Sequence, residues 1–312
     1  MTFNDILHKF RSESFTQKDK GTQFERLMRS WLLSDPRYSN LTKVWLWDDF
    51  PSRADLGGKD TGIDLVARTE EGDYWAIQCK CYKEDSVIDK PAVDSFLATS
   101  SRQFKDPETL QTTSFAKRMW ISTTNHWGKN AEDAIQNQNP PFNRVGLVDL
   151  QNSPVDWQLL IDGLKGKEAM LPGKQPREHQ LRAMSAAHAY FQEHDRGKLI
   201  MACGTGKTYT ALKIAEDLLN NKGLVLFMVP SISLLGQSLN WCADAVNPIK
   251  GICICSDSRA SRKIKKDFDD TQDSVVDLAV PATTNPKSIA KQLKLYRNHN
   301  GLTVCLLYTS DA

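Results

Sequence analysis

The chain contains 312 residues, and at about 150 residues per domain this length predicts two domains. Its 40 lysines and arginines nearly balance 38 aspartates and glutamates, so the net charge is only +2. This balance excludes a generally basic nucleic-acid-binding protein, and any surface that binds nucleic acid must be a local patch.

The cysteines and the hydropathy pattern exclude further classes. The seven cysteines include two C-x-C pairs and no C-x-x-C pair, which argues against a zinc site or a disulfide framework and predicts reduced, mostly buried thiols. The N-terminus lacks an apolar signal core, and no run of about 18 apolar residues occurs. We therefore expect a soluble, cytoplasmic protein with no membrane partner.

The N-terminal segment predicts two helices. Thr2 and Asp5 form a capping-box pattern that opens a short amphipathic helix through residue 10, and a polar linker follows up to residue 20. Apolar residues then recur at helical spacing, which predicts a helix over residues 22–33 with one buried stripe.

Glu25 lies on this second predicted helix, one place after the apolar stripe. A helix at this position can hold a carboxylate over the edge of a sheet, so Glu25 is a candidate for completing an active site. The alternative is an exposed ion pair with Arg29 four residues later, an arrangement that is common on helices.

Residues 62–80 predict a β-hairpin that carries an acid, an amide and a lysine. A strand over residues 44–50 and a glycine-rich approach at 57–62 precede it, and apolar residues alternate on both sides of a turn at 70–73. Gln78 and Lys80 share one face of the second strand. Asp64 and Gln78 can ligate Mg²⁺, and Lys80 can orient a water or stabilise a phosphate, which predicts a metal-dependent nuclease centre. The alternative is a solvated strand face.

Alternating elements complete the first domain. Helices are predicted over residues 93–104, 129–138 and 157–164, and strands over 118–123 and 145–150, which indicates an α/β domain with a central sheet over residues 21–164. Residues 165–176 are rich in glycine, lysine and proline, so we place a linker there and a second domain over residues 177–312.

A phosphate-binding loop is predicted in the second domain. An apolar strand ending at Met201 leads into a glycine loop and then a helix that runs to residue 219. The glycines let backbone N–H groups close around phosphate, the lysine reaches the β- and γ-phosphates, and a hydroxyl ligates Mg²⁺. The predicted ATP-binding residues are Gly204, Thr205, Gly206, Lys207 and Thr208, with Thr208 as the Mg²⁺ ligand.

The loop resembles that of superfamily 2 helicases and translocases. The strict pattern has a further glycine at the position of Met201, and the A-x-x-G-x-G-K-T version of that superfamily does not. Residues 176–180 resemble its adenine-reading segment, which implies that Arg177 and Gln180 bind nucleotide; the alternative for Gln180 is an ordinary surface glutamine. Residues 224–235 resemble the strand and loop that touch the DNA backbone, with an ordinary buried strand as the alternative.

Opposed charges follow at residues 259–273. Five basic residues at 259–266 precede four aspartates. Such blocks favour a solvated, self-neutralising surface over a phosphate-binding track.

The first domain resembles the Mrr-like branch of the PD-(D/E)xK nucleases over residues 20–162. The residues that carry the likeness are 21–25, 62–65, 78–80 and 119–124, and in that branch the second acid is often glutamine. The resemblance implies that Asp64 and Gln78 hold Mg²⁺, that Lys80 positions the attacking water and that Glu25 supports the site.

A Mrr-like nuclease joined to such a motor resembles the N-terminal part of Type ISP single-polypeptide restriction enzymes. The resemblance implies an α/β protein with a restriction-endonuclease-like mixed-sheet domain, followed by a partial P-loop (RecA-like) parallel-sheet domain. It also implies Mg²⁺ and ATP as cofactors, double-stranded DNA as partner and a role in bacterial defence.

The motor motifs end early. No D-E-x-H or D-E-A-D motif follows the loop, although a motor needs that acid for Mg²⁺ and water activation, and a second motor domain with its arginine finger is absent. We expect a truncated chain that does not turn over ATP by itself. The full-length protein is expected to add the remaining motor, methyltransferase and target-recognition regions.

Two other functions remain open from the residues. One is a DNA-processing helicase whose nuclease-fold domain only binds DNA, which the glutamine at position 78 allows. The other is a P-loop ATPase or kinase that does not act on DNA. Loss of Mg²⁺-dependent plasmid nicking in Asp64→Ala and Lys80→Ala distinguishes the nuclease from the first, and nucleotide-independent DNA binding by the first domain counts against the second.

Overall fold

The computed structural model describes residues 1–13, 16–58, 62–255, 278 and 280–308. These residues form two compact units: Met1–Met170 with the described residues up to 282, and Leu171–Cys255 with the chain from Thr283 onward. The opposed charge blocks at 259–273 and residues 309–312 lie outside the described residues.

The first unit is a mixed α/β structure. Its helices are α1 (Phe3–Glu13), α2 (Gln17–Leu32), α3 (Lys90–Ser100), α4 (Lys129–Ile135), α5 (Leu147–Gln151) and α6 (Trp157–Ile161). Its strands are β1 (Leu41–Leu46), β2 (Leu65–Thr69), β3 (Tyr74–Lys80), β4 (Val87–Ile88), β5 (Gln103–Lys105), β6 (Thr112–Ser122), β7 (His126–Trp127) and β8 (Phe142–Val145).

A six-stranded mixed sheet organises this unit. Its order is β1-β2-β3-β6-β5, and β8 also pairs with β6. The neighbours β1, β2 and β3 are antiparallel, whereas β3, β6 and β8 run parallel. The predicted hairpin is therefore confirmed, and its second strand lies in the middle of the sheet. The predicted mixed-sheet class is confirmed as well.

Apolar side chains cover both faces of the sheet. One core joins the buried stripes of α1, α2, α5 and α6 to alternate residues of β2 and β3. The other joins α3 and α4 to the remaining residues of the same strands and is rich in aromatic rings. Burial on both sides explains why β3 is apolar except at Gln78 and Lys80, as is usual for a strand with parallel pairing.

The first two helices begin as cap chemistry requires. Thr2 and Asp5 form the predicted capping box: each backbone N–H donates to the other side chain, at 3.2 Å for Asp5 and 2.8 Å for Thr2. The start of α2 predicted at residue 22 is wrong. Thr16 accepts a hydrogen bond from the Asp19 N–H at 3.0 Å, and this cap starts the helix at Gln17 inside the predicted linker.

The strand predicted over residues 145–150 is also largely wrong. β8 ends at Val145, and α5 follows. The Gly146 N–H donates to the Asp149 carboxylate at 2.8 Å, and Leu147 and Leu150 lie three residues apart on one buried helical face. A short apolar run does not distinguish a strand from a buried helix by periodicity alone.

Two other predicted bounds shift for local reasons. The strand predicted over 44–50 ends at Leu46, because a tight turn begins at Trp47, whose N–H donates to the Asp64 carbonyl oxygen at 2.8 Å. The helix predicted over 93–104 begins earlier, after an Asp89 cap, and ends at Ser100. Residues at its predicted end form β5 instead.

The second unit contains a parallel sheet. Its elements are α7 (Glu178–Phe191), α8 (Lys207–Leu218), β9 (Gly223–Val229), α9 (Ile232–Ser238), α10 (Trp241–Asp244), β10 (Lys250–Ile254), α11 (Pro286–Tyr296) and β11 (Leu302–Tyr308). The strand order is β10-β11-β9, and both pairs are parallel, as predicted.

The apolar strand predicted before the glycine loop is wrong. Residues 199–201 form no strand in the structure, and Ile200 is 91% exposed. A strand requires a neighbour for its backbone N–H and C=O groups. In the described part of the second unit, β9 pairs only with β11, and no strand pairs with residues 199–201.

Most of the cysteine side chains are buried, as predicted. All seven cysteines are free; five are buried, Cys81 is half-buried and Cys203 is exposed. No helix within the described ranges has both the length and the apolar character required to cross a bilayer.

Candidate active site

The Asp64 carboxylate is fixed against the neighbouring strand. Its backbone N–H donates to the Ile77 carbonyl oxygen at 2.9 Å, which continues the β2–β3 pairing by one residue. Its Oδ2 atom accepts a hydrogen bond from the Cys79 N–H at 2.7 Å and another from the Gln78 side-chain amide. A carboxylate held by a backbone N–H has a defined orientation.

Gln78 is buried at the centre of the sheet. It is 1% exposed and lies opposite Trp120 of the parallel neighbour β6. The solvated strand face considered from the sequence is therefore wrong, because β3 is covered on both sides. Lys80, at the end of β3, is the residue of this strand that reaches partial exposure. A buried amide requires hydrogen-bond partners, and Asp64 supplies one.

The pKa of the Cys79 thiol depends on the charged side chains near the end of β3. Burial raises its pKa well above the usual value, and the negative charges of Asp64 and Glu25 raise it further, whereas the positive charge of Lys80 opposes the rise. Such effects require charges that lie close together in a poorly solvated region. Glu25, Asp64 and Lys80 are therefore the charged side chains that act on this buried thiol.

Glu25 reaches this place from α2. It is half-buried, and a Cβ atom built on Gly21, one turn earlier, would lie 3.9 Å from its Oε1 atom. Arg29, the partner in the alternative interpretation, donates its Nε–H to the Val44 carbonyl oxygen at 2.9 Å. The side chain of Glu25 thus lies over Gly21, on the part of α2 that packs near β3.

Buried hydroxyls, missed in the sequence, hold the chain beyond Lys80. Thr123 and Thr124 are fully buried just after β6. The Thr123 N–H donates to the Lys80 carbonyl oxygen at 3.1 Å, and its hydroxyl donates to the Tyr82 carbonyl oxygen at 2.6 Å. Thr124 donates to the Glu84 carbonyl oxygen at 2.8 Å. The available signal was a run of hydroxyl residues directly after an apolar strand.

The geometry predicts a strong contrast in thiol reactivity. Cys203 is exposed, whereas Cys79 is buried beside two carboxylates that disfavour its thiolate. In the native protein, we expect iodoacetamide to label Cys203 at least about tenfold faster than Cys79, as followed by peptide mass spectrometry. Equal labelling rates in a sample with native circular dichroism would contradict this arrangement.

The donor atoms fit a hard divalent cation. Among the described residues, no group of three or more His, Cys, Asp or Glu side chains could hold a metal ion. The carboxylate oxygens of Asp64 and the amide oxygen of Gln78 are donors that suit Mg²⁺. The amide presents its nitrogen to Asp64 in this structure, and a half-turn of its plane presents the oxygen instead.

The glycine loop of the second unit has the backbone that phosphate binding requires. Gly204 and Gly206 have φ angles of 74° and 80°, a region that favours glycine, and α8 begins directly afterwards at Lys207. Lys207 Nζ donates to the Ala202 carbonyl oxygen at 3.3 Å, inside the loop. Thr208, the predicted Mg²⁺ ligand, is half-buried in the first turn of α8.

Gln180 supports this loop from α7. It is 5% exposed, so the interpretation as an ordinary surface glutamine is wrong. Its Oε1 atom accepts from the Arg177 N–H at 2.8 Å, and its Nε2 atom donates to the Thr205 carbonyl oxygen at 3.0 Å. His179 Nε2 lies 3.0 Å from the same oxygen. The segment resembling an adenine-reading motif therefore contacts the loop directly.

Comparison with known proteins assigns both units. Residues 33–167 match a restriction endonuclease family of the Mrr type, and residues 173–305 match the family of the type III restriction enzyme res subunit. No curated protein matches the chain.

Three solved structures are similar to this chain. The ATP-dependent Type ISP restriction-modification enzyme LlaBIII bound to DNA is 30% identical, with a TM-score of 0.73 over 99% of this chain and 18% of that chain. A nuclease-deletion mutant of the Type ISP enzyme LlaGI, in complex with a DNA substrate mimic, is 38% identical over 43% of this chain and 12% of that chain, with a TM-score of 0.34. The DNA modification-dependent restriction endonuclease AspBHI is 14% identical over 53% and 36%, with a TM-score of 0.31.

The chain thus joins a restriction endonuclease domain to a helicase-like domain, which confirms the class predicted from the two sets of motifs. More particularly, its structure matches that of a Type ISP restriction-modification enzyme, and it spans 18% of the length of LlaBIII.

Proposed function

We propose that the first unit is a Mg²⁺-dependent DNA endonuclease and that the second belongs to an ATP-driven DNA translocase. Together they would form part of a bacterial restriction enzyme that acts on double-stranded DNA in the cytoplasm. The observation that carries the proposal is the Asp64 carboxylate, which accepts hydrogen bonds from the Cys79 N–H and the buried Gln78 amide, on the strand that ends at Lys80.

Each side chain has a distinct role in this proposal. Asp64 and Gln78 would hold Mg²⁺, which would supply Lewis-acid stabilisation of charge on the phosphate. Lys80, partly exposed at the strand end, orients the attacking water and faces the phosphate. Glu25 adds a second carboxylate from α2 and keeps the site negative enough to attract a cation.

The second unit supplies nucleotide binding. The N–H groups of Gly204, Thr205 and Gly206 would hold the phosphates of ATP, and Lys207, which contacts the Ala202 carbonyl oxygen, would bind the β- and γ-phosphates. Thr208 would ligate the Mg²⁺ of ATP. Arg177 and Gln180 would bind the adenine; they are hydrogen-bonded to each other, and Gln180 contacts the loop.

One observation favours a second candidate, a nuclease fold that only binds DNA. The Gln78 amide donates its N–H to Asp64, and this arrangement satisfies both groups without a metal. In that case the first unit would bind duplex DNA, and only the helicase-like unit would act as an enzyme. A P-loop ATPase or kinase that does not act on DNA is disfavoured, because both family matches are to restriction enzymes.

Plasmid nicking distinguishes the first two candidates. We expect the chain to nick supercoiled plasmid DNA with Mg²⁺ but not with EDTA, and Lys80→Ala to lower the single-turnover rate at least about 10²-fold. Lys90→Ala is the matched control, because Lys90 is exposed and pairs with Asp94 at 2.6 Å. Intact DNA binding without any nicking by the wild-type chain would support the binding module instead.

A further inference from the structure

Two cations from the N-terminal helices lie beside the end of β3. Arg11, near the end of α1, donates its Nη2–H to the Tyr82 carbonyl oxygen at 3.3 Å, two residues beyond Lys80. Thr123 donates to the same oxygen at 2.6 Å, so this backbone is held from β6 as well. Lys20 lies in the first turns of α2, the helix that brings in the carboxylate of Glu25.

The Cys81 thiol shows that both cations act at this place. Burial raises its pKa, and the positive charges of Lys20 and Arg11 lower it in opposition. The end of β3 therefore lies in the field of cations from α1 and α2, one of which contacts its backbone directly.

Arg11 and Lys20 both reach solvent. Arg11 is exposed and Lys20 is half-exposed, and within the described ranges neither forms an ion pair with a carboxylate. Other exposed lysines do: Lys90 pairs with Asp94 and Lys174 with Asp244, at 2.6 and 2.9 Å. Unpaired cations beside a cluster of acids are suited to a polyanion that must approach those acids.

We propose that Arg11 and Lys20 form a phosphate-binding pair that holds the DNA backbone next to the phosphate faced by Lys80. This inference rests on the proposed function, and it extends the DNA-binding surface to α1 and the start of α2. Both residues precede the segment that matches the restriction endonuclease family, which begins at residue 33. The pair compensates the repulsion between DNA and the carboxylates of Asp64 and Glu25.

The test is the salt dependence of duplex binding by the chain carrying Arg11→Gln and Lys20→Gln. Binding of a fluorescent duplex, measured by anisotropy with Ca²⁺ in place of Mg²⁺, should weaken at least about tenfold at moderate salt. The slope of log K against log salt should fall by about 1.8, since each lost phosphate contact contributes about 0.9.

Two further variants complete the test. Arg11→Lys with Lys20→Arg retains both charges and should restore the salt slope, and Lys90→Gln should behave as wild type. An unchanged dissociation constant and slope in the double glutamine variant would overturn the inference, while cleavage lost in Lys80→Ala would still support the nuclease. A reduced slope in a chain that never cleaves would support the phosphate pair and overturn the nuclease proposal.

Discussion

Asp64→Asn is expected to lower Mg²⁺-dependent plasmid nicking by at least about 10²–10³-fold, the cost of removing one preorganised electrostatic group from a catalytic site. The substitution keeps the size of the side chain and one oxygen that can accept from the Cys79 N–H. It removes the negative charge that would bind the cation. Single-turnover nicking measures the loss, and duplex binding in Ca²⁺ should change much less than cleavage.

Asp94→Asn is the matched control for this substitution. Asp94 is exposed on α3 and pairs with Lys90, so its loss should leave nicking within about twofold of wild type. Wild-type nicking by Asp64→Asn would contradict the assignment of this carboxylate.

Two variants at Gln78 test the amide separately. Gln78→Glu should retain Mg²⁺-dependent nicking, because a carboxylate is a stronger ligand for Mg²⁺ than an amide. Gln78→Ala should lose it, whereas unchanged cleavage in that variant would remove the ligand role of this residue.

Gly206→Ala is expected to weaken ATP binding by about 10²-fold or more. An alanine with the φ angle of 80° found here costs about 1–2 kcal/mol. In addition, its Cβ atom would lie 2.4 Å from Gln180 Nε2, a distance that real Cβ contacts do not show. Gln180 would have to move, and its hydrogen bond to the Thr205 carbonyl oxygen would break. A fluorescent ATP analogue titrated into the chain measures the change.

Two variants separate backbone strain from the steric clash. Gly204 has a φ angle of 74°, but a Cβ atom built there meets nothing within 4 Å, so Gly204→Ala should weaken binding only about tenfold. Gln180→Ala combined with Gly206→Ala removes the clash and should recover part of the stability of the second unit. Equal effects of Gly204→Ala and Gly206→Ala would show that the packing of Gln180 against the loop does not matter.

The hairpin and its three polar side chains could be predicted because they are local. Period-two alternation around a four-residue turn defines both strands, and the spacing from Asp64 to Gln78 fits their antiparallel pairing. The burial of Gln78 could not be predicted in this way. Gln78 is buried by β6 and by helices that are distant in sequence. A local sequence pattern does not predict which strands pair with each other.

The supporting contacts were missed for the same reason. Thr123 fixes the carbonyl oxygens of Lys80 and Tyr82 from the neighbouring strand, and Arg11 approaches Tyr82 from a separate helix. The start of α2 was missed for a different reason. The cap at Thr16 was visible in the sequence, but the polar residues after it suggested a linker.

In the second unit, the structure confirms some of the predicted elements and not others. The glycine loop and α8 follow the prediction, whereas residues 199–201 form no strand. The alternation in β9 leaves Leu224, Leu226 and Met228 56–60% exposed, which corrects the alternative of an ordinary buried strand. The motif is a property of a few consecutive residues, but a buried strand requires partners from elsewhere in a sheet.

The most direct test of the central claim is the binding of Mn²⁺, an oxygen-preferring substitute for Mg²⁺, to the chain without nucleotide. We expect electron paramagnetic resonance to detect one site in the concentration range in which Mn²⁺ supports nicking. This site should be lost in Asp64→Asn and retained in Asp94→Asn. Unchanged Mn²⁺ binding in Asp64→Asn would show that the cation is not held by Asp64 and Gln78, and the nuclease centre described here would be wrong.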